Sequence, residues 1–459
     1  MKIIVEMRPE KQRGNSVAEY AQLARASNYP QEDLEMVVYV ISLDGQPLMP
    51  TTPCKARVLL KSGRAKCVRR TPFTIKLLYK TTTYTQPITL GIDTGSSKIG
   101  SAAVNEKGNV LYMSEVEIRN DIADRMKRRA KYRRNRRNRK TRYRPARWLN
   151  RRNSIKSGRF SPTMVSKLHS HEKEITFVKG LLPISKLILE TATFDPYALK
   201  NPEVLKNKWL YQRGTNYGFA NTKAYVLSRD NYTCQHCKGK SKDSRLHAHH
   251  IVFRSNWGSD EADNLVTLCK TCHDRLHEGE INLKGGKAKG QLRHATQMNM
   301  IRTQLLMRFL EATETFGFIT KEHRQLMELP KEHACDAIAI ASLENIERNG
   351  LLSANVMARL LRKRCVPKGD YQQTKGVRSE MRILTGKIQG FRKFDKVEYE
   401  GAEYFIQGRM SSGYAVLMDV QGNKAQLKPM PKFSKMERLQ ARSGWMITED
   451  AFIPHLRFA

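Results

Sequence analysis

Ile88-Thr-Leu-Gly-Ile-Asp-Thr-Gly95 is the stretch that decides how this chain folds. An apolar run that closes on an aspartate and then on Thr-Gly reads as a buried strand entering a tight turn, with Asp93 at its end. Lys98-Ile-Gly-Ser-Ala-Ala-Val104 and Val110–Ile118 supply two further strands around the turn Glu106-Lys-Gly-Asn109, so the region is a β-meander with an acid on its first strand. Two later segments share this make-up. Leu187-Ile-Leu-Glu190 is a buried strand ending in a carboxylate. His333-Ala-Cys-Asp336-Ala-Ile-Ala-Ile-Ala341 opens an apolar helix with a histidine and an acid on one face of its first turn. A lone acid at a buried edge is usually structural. Three of them, on separate apolar elements, form a pattern.

Between the second and third acids lies a cysteine and histidine cluster. Cys234-Gln-His-Cys237 and Cys269-Lys-Thr-Cys272 are two CxxC knuckles with 31 residues between them. Four thiolates complete a tetrahedral, closed and therefore structural zinc site, and such a site supplies folding energy that a module of about 60 residues lacks. Leu246-His-Ala-His249-His250-Ile-Val, then Asn264-Leu-Val-Thr-Leu-Cys269, then His273 complete the cluster. A plain zinc-finger binding module, its histidines touching phosphates, is the simpler alternative. The segment resembles an HNH endonuclease of the cysteine-bearing kind. The resemblance implies a ββα-metal site with His250 as general base, His249 and His273 holding one Mg2+, and Asn264 fixing the loop that carries the base. Relatives often carry Asp where His249 stands. His247 and His277 are read as structural or surface residues.

The charge points to a polyanion. Lys and Arg number 82 against 44 Asp and Glu, a net charge of +38, which speaks to partners rather than to fold. The densest run, Arg125 to Arg152, holds 16 Lys/Arg in 28 residues and no acid, with Tyr132, Tyr143 and Trp148 interleaved. It reads as one long helix that phosphates complete, and Arg128, Arg129, Arg133, Arg134, Arg136, Arg137, Arg139 and Arg142 are its candidate nucleic-acid contacts. A disordered basic tail is the alternative, but a tail belongs at a terminus and this segment lies between patterned regions. No run of 18 apolar residues reads as a membrane span, and the N-terminus lacks an apolar signal core, so an intracellular, cytoplasmic protein is expected.

Asp93, Glu190 and Asp336, with His333 before the last, resemble the split site of a RuvC-like nuclease of the RNase H class. That resemblance implies two Mg2+ ions on the three carboxylates, with Mn2+ able to substitute, and proton transfer by His333. The order of these elements resembles the IscB family of transposon-encoded RNA-guided DNA endonucleases, compact relatives of the CRISPR type II effectors. The expected fold is α/β and multidomain: an RNase H-like RuvC domain split in three, an inserted ββα-metal HNH with zinc knuckles, an Arg-rich bridge helix and a small C-terminal β-barrel-like domain. The expected divisions are a flexible extension at 1–35, a Leu-Met-Pro-type domain at 36–86, the first RuvC segment at 87–120 and the bridge helix at 121–155. The second RuvC segment follows at 156–200, HNH at 201–290, the third RuvC segment at 291–350, an RNA-contacting segment at 351–390 and a target-adjacent-motif domain at 391–459. The resemblance further implies a long noncoding guide RNA, one protein per RNA, and a double-stranded DNA target beside a short motif. HNH would cut the guide-paired strand and RuvC the displaced strand. Two other readings use fewer residues. A guide-independent HNH homing-type nickase needs neither the Arg-rich helix nor the split carboxylates, and a non-catalytic ribonucleoprotein component needs no acidic triad.

Overall fold

The computed structural model describes residues 37–137, 160–214, 216–253, 258–283, 293–349, 355–356, 358–367, 371–373, 380–382 and 387–450. The extension at 1–35, much of the expected RNA-contacting segment, and Arg139 and Arg142 lie outside these residues. No described helix is long and apolar enough to cross a membrane.

Strands β1 (Val38–Ile41), β2 (Pro47–Thr51), β3 (Ala65–Arg69) and β4 (Thr74–Leu77) form a sheet of order β2-β1-β4-β3. The Leu-Met-Pro stretch falls on β2. Helix α1 (Pro53–Lys61) opens with Pro at its first position and the Thr52 side chain capping Lys55 N–H, an efficient helix start. The basic stretch around Ala56–Lys66 has a helix-like make-up in sequence, but the helix stops at Lys61, and Ala65-Lys66 already belong to β3.

The meander follows as expected, with β5 (Ile88–Asp93), β6 (Lys98–Asn105) and β7 (Asn109–Glu117) antiparallel. Helices α2 (Ile122–Arg137) and α3 (Pro162–Lys179) lead to β8 (Lys186–Thr191), which pairs parallel to β5. After the cysteine module come α4 (Arg293–Arg308), β9 (Thr313–Phe316), α5 (Gly317–Leu326) and α6 (His333–Ala341). Apolar spacing reads as helical over the whole of 300–328, but the first helix ends at Arg308 and the next begins at Gly317. Thr313-Glu-Thr-Phe316 is a short strand, parallel to β8, because its backbone completes the open edge of that strand. Strand β10 (Asn355–Val356) pairs with β7, and β11 (Leu360–Cys365) extends the sheet from β7. The last described strand, β12 (Trp445–Asp450), pairs with β11. The full order is β9-β8-β5-β6-β7-β11-β12. Residues 360–365 and 445–450, expected in an RNA-contacting segment and a separate C-terminal domain, therefore belong to the main sheet.

Helices cover both faces of this sheet, which is why its strands read as nearly continuous apolar runs. One core joins Leu90, Ile92 and Tyr112 to Ile175 of α3 and Ile301 of α4. The other joins Ala102 and Met113 to Ala337 and Ile338 of α6. Helix α6 lies unusually close. A Cβ on Gly91 would stand 2.5 Å from Ala341 N, and one on Gly100 would stand 1.9 Å from His333 O. Gly100 thus seats the start of α6 on β6, and Gly91 seats its last turn on β5.

Lys363 of β11 and Glu174 of α3 form an ion pair at 2.8 Å, both side chains fully buried. Glu174 Oε1 also accepts from Ser101, Tyr112 and Ser114 at 2.7–2.8 Å. The pair locks the returning strand to the rest of the sheet. Lys363→Ala should lower stability by roughly 3–5 kcal/mol, because it strands a buried carboxylate, and adding Glu174→Gln should recover most of that loss. Urea unfolding of wild type and the two variants checks this. An equal loss in single and double variants would mean that packing, not charge, is at stake.

Toward the C-terminus, the strands Lys396–Tyr399, Ala402–Arg409, Ala415–Met418 and Glu437–Gln440 form a four-stranded antiparallel sheet. Two details of the expected barrel change. Lys424-Ala-Gln-Leu427, which reads in sequence as one of the barrel's short strands, makes only an isolated bridge just before Pro429 and Pro431, residues that lack an N–H to donate, and Glu437–Gln440 pairs as the fourth strand instead. The outer strands Ala415–Met418 and Glu437–Gln440 do not pair with each other among the described residues, so the sheet is open.

Candidate functional site

In the cysteine module, a hairpin of Leu246–His250 and Leu265–Cys269 packs on the helix Lys270–Glu278. That helix ends at Gly279, whose φ of 83° is the left-handed conformation that closes many helices. Cys234, Cys237, Cys269 and Cys272 present sulfurs all within 4.8 Å of one another. Four thiolates about 2.3 Å from a tetrahedral zinc stand about 3.8 Å apart, and Cys237 and Cys269 Sγ are 3.8 Å apart. Burial and the neighbouring sulfurs push the Cys272 thiol up. Four sulfurs so close ionise together only around a cation, so the residues fit zinc.

A second cluster lies on the hairpin and helix. His249, His273 and His277 place ligand nitrogens within 4.8 Å of one another. His277, set aside on sequence, thus joins the two expected ligands. It is one helical turn from His273, and that i, i+4 spacing was the available signal. His249 Nε2 and His277 Nε2 are 3.2 Å apart, and the buried His249 Nδ1 has no hydrogen-bond partner. Burial, then His273 and His277, depress the His249 imidazole, which favours the neutral ring, the form that binds a divalent metal. His247 stays outside this cluster, its ring 5.0 Å from that of His273.

His250 points elsewhere: its Nε2 is 2.7 Å from Asp260 Oδ1. No spacing rule marked Asp260, since the contact crosses a loop. Asn264 sits beneath that loop. Its side-chain oxygen accepts from Val252 N–H at 2.9 Å, and its amide donates to the Val252 and Ser259 carbonyls at 3.0 and 2.8 Å. The expected loop-fixing geometry is present. Asn264→Ala should therefore cut the turnover of this centre by about 10–100-fold, the usual cost of losing an outer support, with zinc content unchanged. Wild-type turnover with a normal zinc count would contradict the role.

The three acids converge from separate stretches of the chain. Asp93 and Glu190 are direct neighbours in the β5–β8 register. His333 Nδ1 lies 2.6 Å from Asp93 Oδ2, and Asp336 Oδ1 lies 2.7 Å from Arg324 Nε. Burial, then Asp93 and Asp336, push the Glu190 carboxyl up to about 7. Burial and Asp93 also raise Asp336. The bond to Asp93 raises His333. The three acids thus lie near enough to raise Glu190 and Asp336, and carboxylate oxygens are the donors that hard divalent cations take, but they are not gathered within 4.8 Å as the cysteine and histidine groups are. Arg324 was not singled out on sequence and supplies a counter-charge on one side.

Of the candidate nucleic-acid arginines, Arg128, Arg129, Arg133, Arg134, Arg136 and Arg137 lie on α2, and the first four are exposed. Ile122, Ala123 and Met126 at the start of this helix are partly buried, and the exposed arginines that follow give it a charge density that suits a polyanion.

Comparison with known proteins matches the RRXRR protein family model to residues 38–214 and the HNH endonuclease model to residues 234–279. Arg133-Arg134-Asn135-Arg136-Arg137 reads as an RRXRR string. The type IV methyl-directed restriction enzyme EcoKMcrA of Escherichia coli K12 is 32% identical over 101 residues, 20% of this chain and 34% of that enzyme. This chain thus spans about a third of that relative. Anaredoxin of a Nostoc species is 33% identical over 58 residues, 13% of this chain and 74% of that protein. Among solved structures, Streptococcus thermophilus Cas9 in complex with the AGAA PAM aligns over 56% of this chain and 32% of its own, with 12% identity and a TM-score of 0.31, too loose a likeness to carry an argument.

Proposed function

We propose that this chain, which matches the RRXRR family model over residues 38–214 and the HNH endonuclease model over residues 234–279, is of the IscB-like kind: an RNA-guided DNA endonuclease with two cutting centres. The observation that carries the reading is the pairing of Asp93 with Glu190, with His333 bound to Asp93, across a chain interrupted by the HNH module. A homing-type nickase has no use for the acidic centre, and a passive binder has no use for either. The sheet order suits an RNase H-like domain assembled from three segments, in line with a split RuvC.

At the HNH centre, Asp260 holds one nitrogen of His250, leaving the other to take a proton from water. Asn264 keeps the loop between them rigid. His249, His273 and His277 would hold a divalent ion there. At the other centre Asp93, Glu190 and Asp336 would hold two Mg2+, with Mn2+ as a substitute, and His333 stands where a proton must move. When bound, such ions neutralise the charge that builds on the phosphate. The four cysteines would hold zinc and take no part in chemistry. The exposed arginines of α2 suit the phosphates of a guide RNA, bound one protein per RNA. Base pairing would select the DNA target, and the C-terminal sheet would sense the adjacent motif. HNH then cuts the guide-paired strand and the acidic centre the displaced strand.

Purification of the full chain from cells carrying its gene and flanking DNA, with sequencing of the bound RNA, tests this. One defined RNA, several times longer than the roughly 20-nucleotide pairing segment, is expected. A random spread of RNA fragments would overturn the reading.

A further inference from the structure

Two phenylalanines beside the acidic centre have no place in the core. Phe316 ends β9 and Phe318 lies in the first turn of α5, on either side of Gly317. Their rings are parallel to within 4°, with centroids 6.3 Å apart, and they are 36% and 71% exposed. The next residue, Ile319, packs instead on Ile188, Ile340 and Leu343. The helix is therefore seated by Ile319 and leaves the rings to solvent. A single exposed apolar residue is ordinary. Two parallel aromatics at the edge of a charged site are not.

Their position is fixed by Glu190. A Cβ on Gly317 would stand 3.1 Å from Glu190 Oε1, so the backbone between the rings lies against that carboxylate. Phe316 also sits opposite Thr191, the residue after Glu190, in the β8–β9 register.

We propose that Phe316 and Phe318 form a stacking platform for the bases of an unpaired DNA strand whose phosphate is presented to Asp93, Glu190 and Asp336. The proposal rests on the nuclease reading of that centre and adds how the strand is held. A phenyl ring has no charge to offer a phosphate, but its face suits any base, so the grip is independent of sequence. In duplex DNA the base faces are covered by their neighbours, so the platform selects an unpaired strand. The strongly basic chain draws in the phosphates, and the rings align the bases.

The test has two arms, both on the full chain. In the first, a thymidine tract carrying one iododeoxyuridine is bound without added magnesium and irradiated, and the adducts are mapped by mass spectrometry. Adducts are expected on Phe316 or Phe318. They should fall about tenfold in Phe316→Ala/Phe318→Ala, in keeping with the worth of base–aromatic stacking, and survive in Phe318→Tyr. Adducts confined to other segments, or undiminished in the double variant, would overturn the proposal. In the second arm, single abasic sites are scanned along the displaced strand and its cleavage is timed. At one position near the cut, base removal should slow wild type about tenfold and cost the double variant nothing further. Full additivity at every position would overturn it. Because the crosslink requires no cleavage, the two readings fail separately. Normal cutting with no ring adduct removes the platform alone. A ring adduct with no cutting by either centre removes the nuclease reading alone.

Discussion

Cys269→Ser should unfold the cysteine module and abolish cutting of the guide-paired strand, while the displaced strand is still nicked. The effect is large because metal binding is folding energy in so small a unit, about 10–16 kcal/mol for structural zinc at neutral pH. Its buried core is small: Cys234, Leu268, Cys269, Cys272 and Ile281 in one cluster, and Val226, Ala262 and Leu265 in a second, so the cysteines make up most of the first. Cys269 also caps the helix that carries His273 and His277, its Sγ accepting from Cys272 N–H at 3.5 Å. Loss of one thiolate therefore displaces two histidines of the neighbouring cluster as well. The main sheet takes no residue from this module, so the acidic centre should survive. Zinc content and strand-resolved gels measure both halves. A variant that keeps its zinc and cuts both strands, or one that loses both cuts, would contradict the division of labour.

His250→Ala and Asp93→Asn should give opposite nicks. The first removes the proposed proton acceptor of the HNH centre, a role worth about 10²–10⁴-fold in rate, and should leave only the displaced strand cut. The second removes one of three carboxylates at the other centre and the partner that holds His333, and should leave only the guide-paired strand cut. Neither substitution opens a cavity. His250 is only partly buried, and Asn preserves the shape of Asp93. Loss of both cuts in either variant, with the fold intact, would show that the two centres are not independent.

What the sequence displayed and what it hid follow from where the stabilising partner lies. β5, β8 and α6 were legible because each is an apolar run ending or opening at a charged residue, which fixes both the element and the site residue it carries. The four cysteines were legible because their spacing alone states the chemistry. β9 was not, since Thr313-Glu-Thr-Phe316 is polar and becomes a strand only by pairing with β8 far away in the chain. β11 was obscured for a related reason. Its Arg362-Lys363-Arg364 looks solvated, yet Lys363 is fully buried against Glu174, a partner no local pattern reveals. In the site, His277 could have been found from its helical spacing to His273, whereas Asp260 and Arg324 reach their partners only through the folded chain.

The central claim is that RNA aims this nuclease. The most direct measurement is to rewrite the pairing segment of the bound RNA, keep the rest, and map the ends left on a DNA carrying both the old and the new target beside the same adjacent motif. The account predicts that both cuts move to the new target and that protein without RNA cuts neither. Cuts that stay at the old site, or that form without RNA, would contradict it.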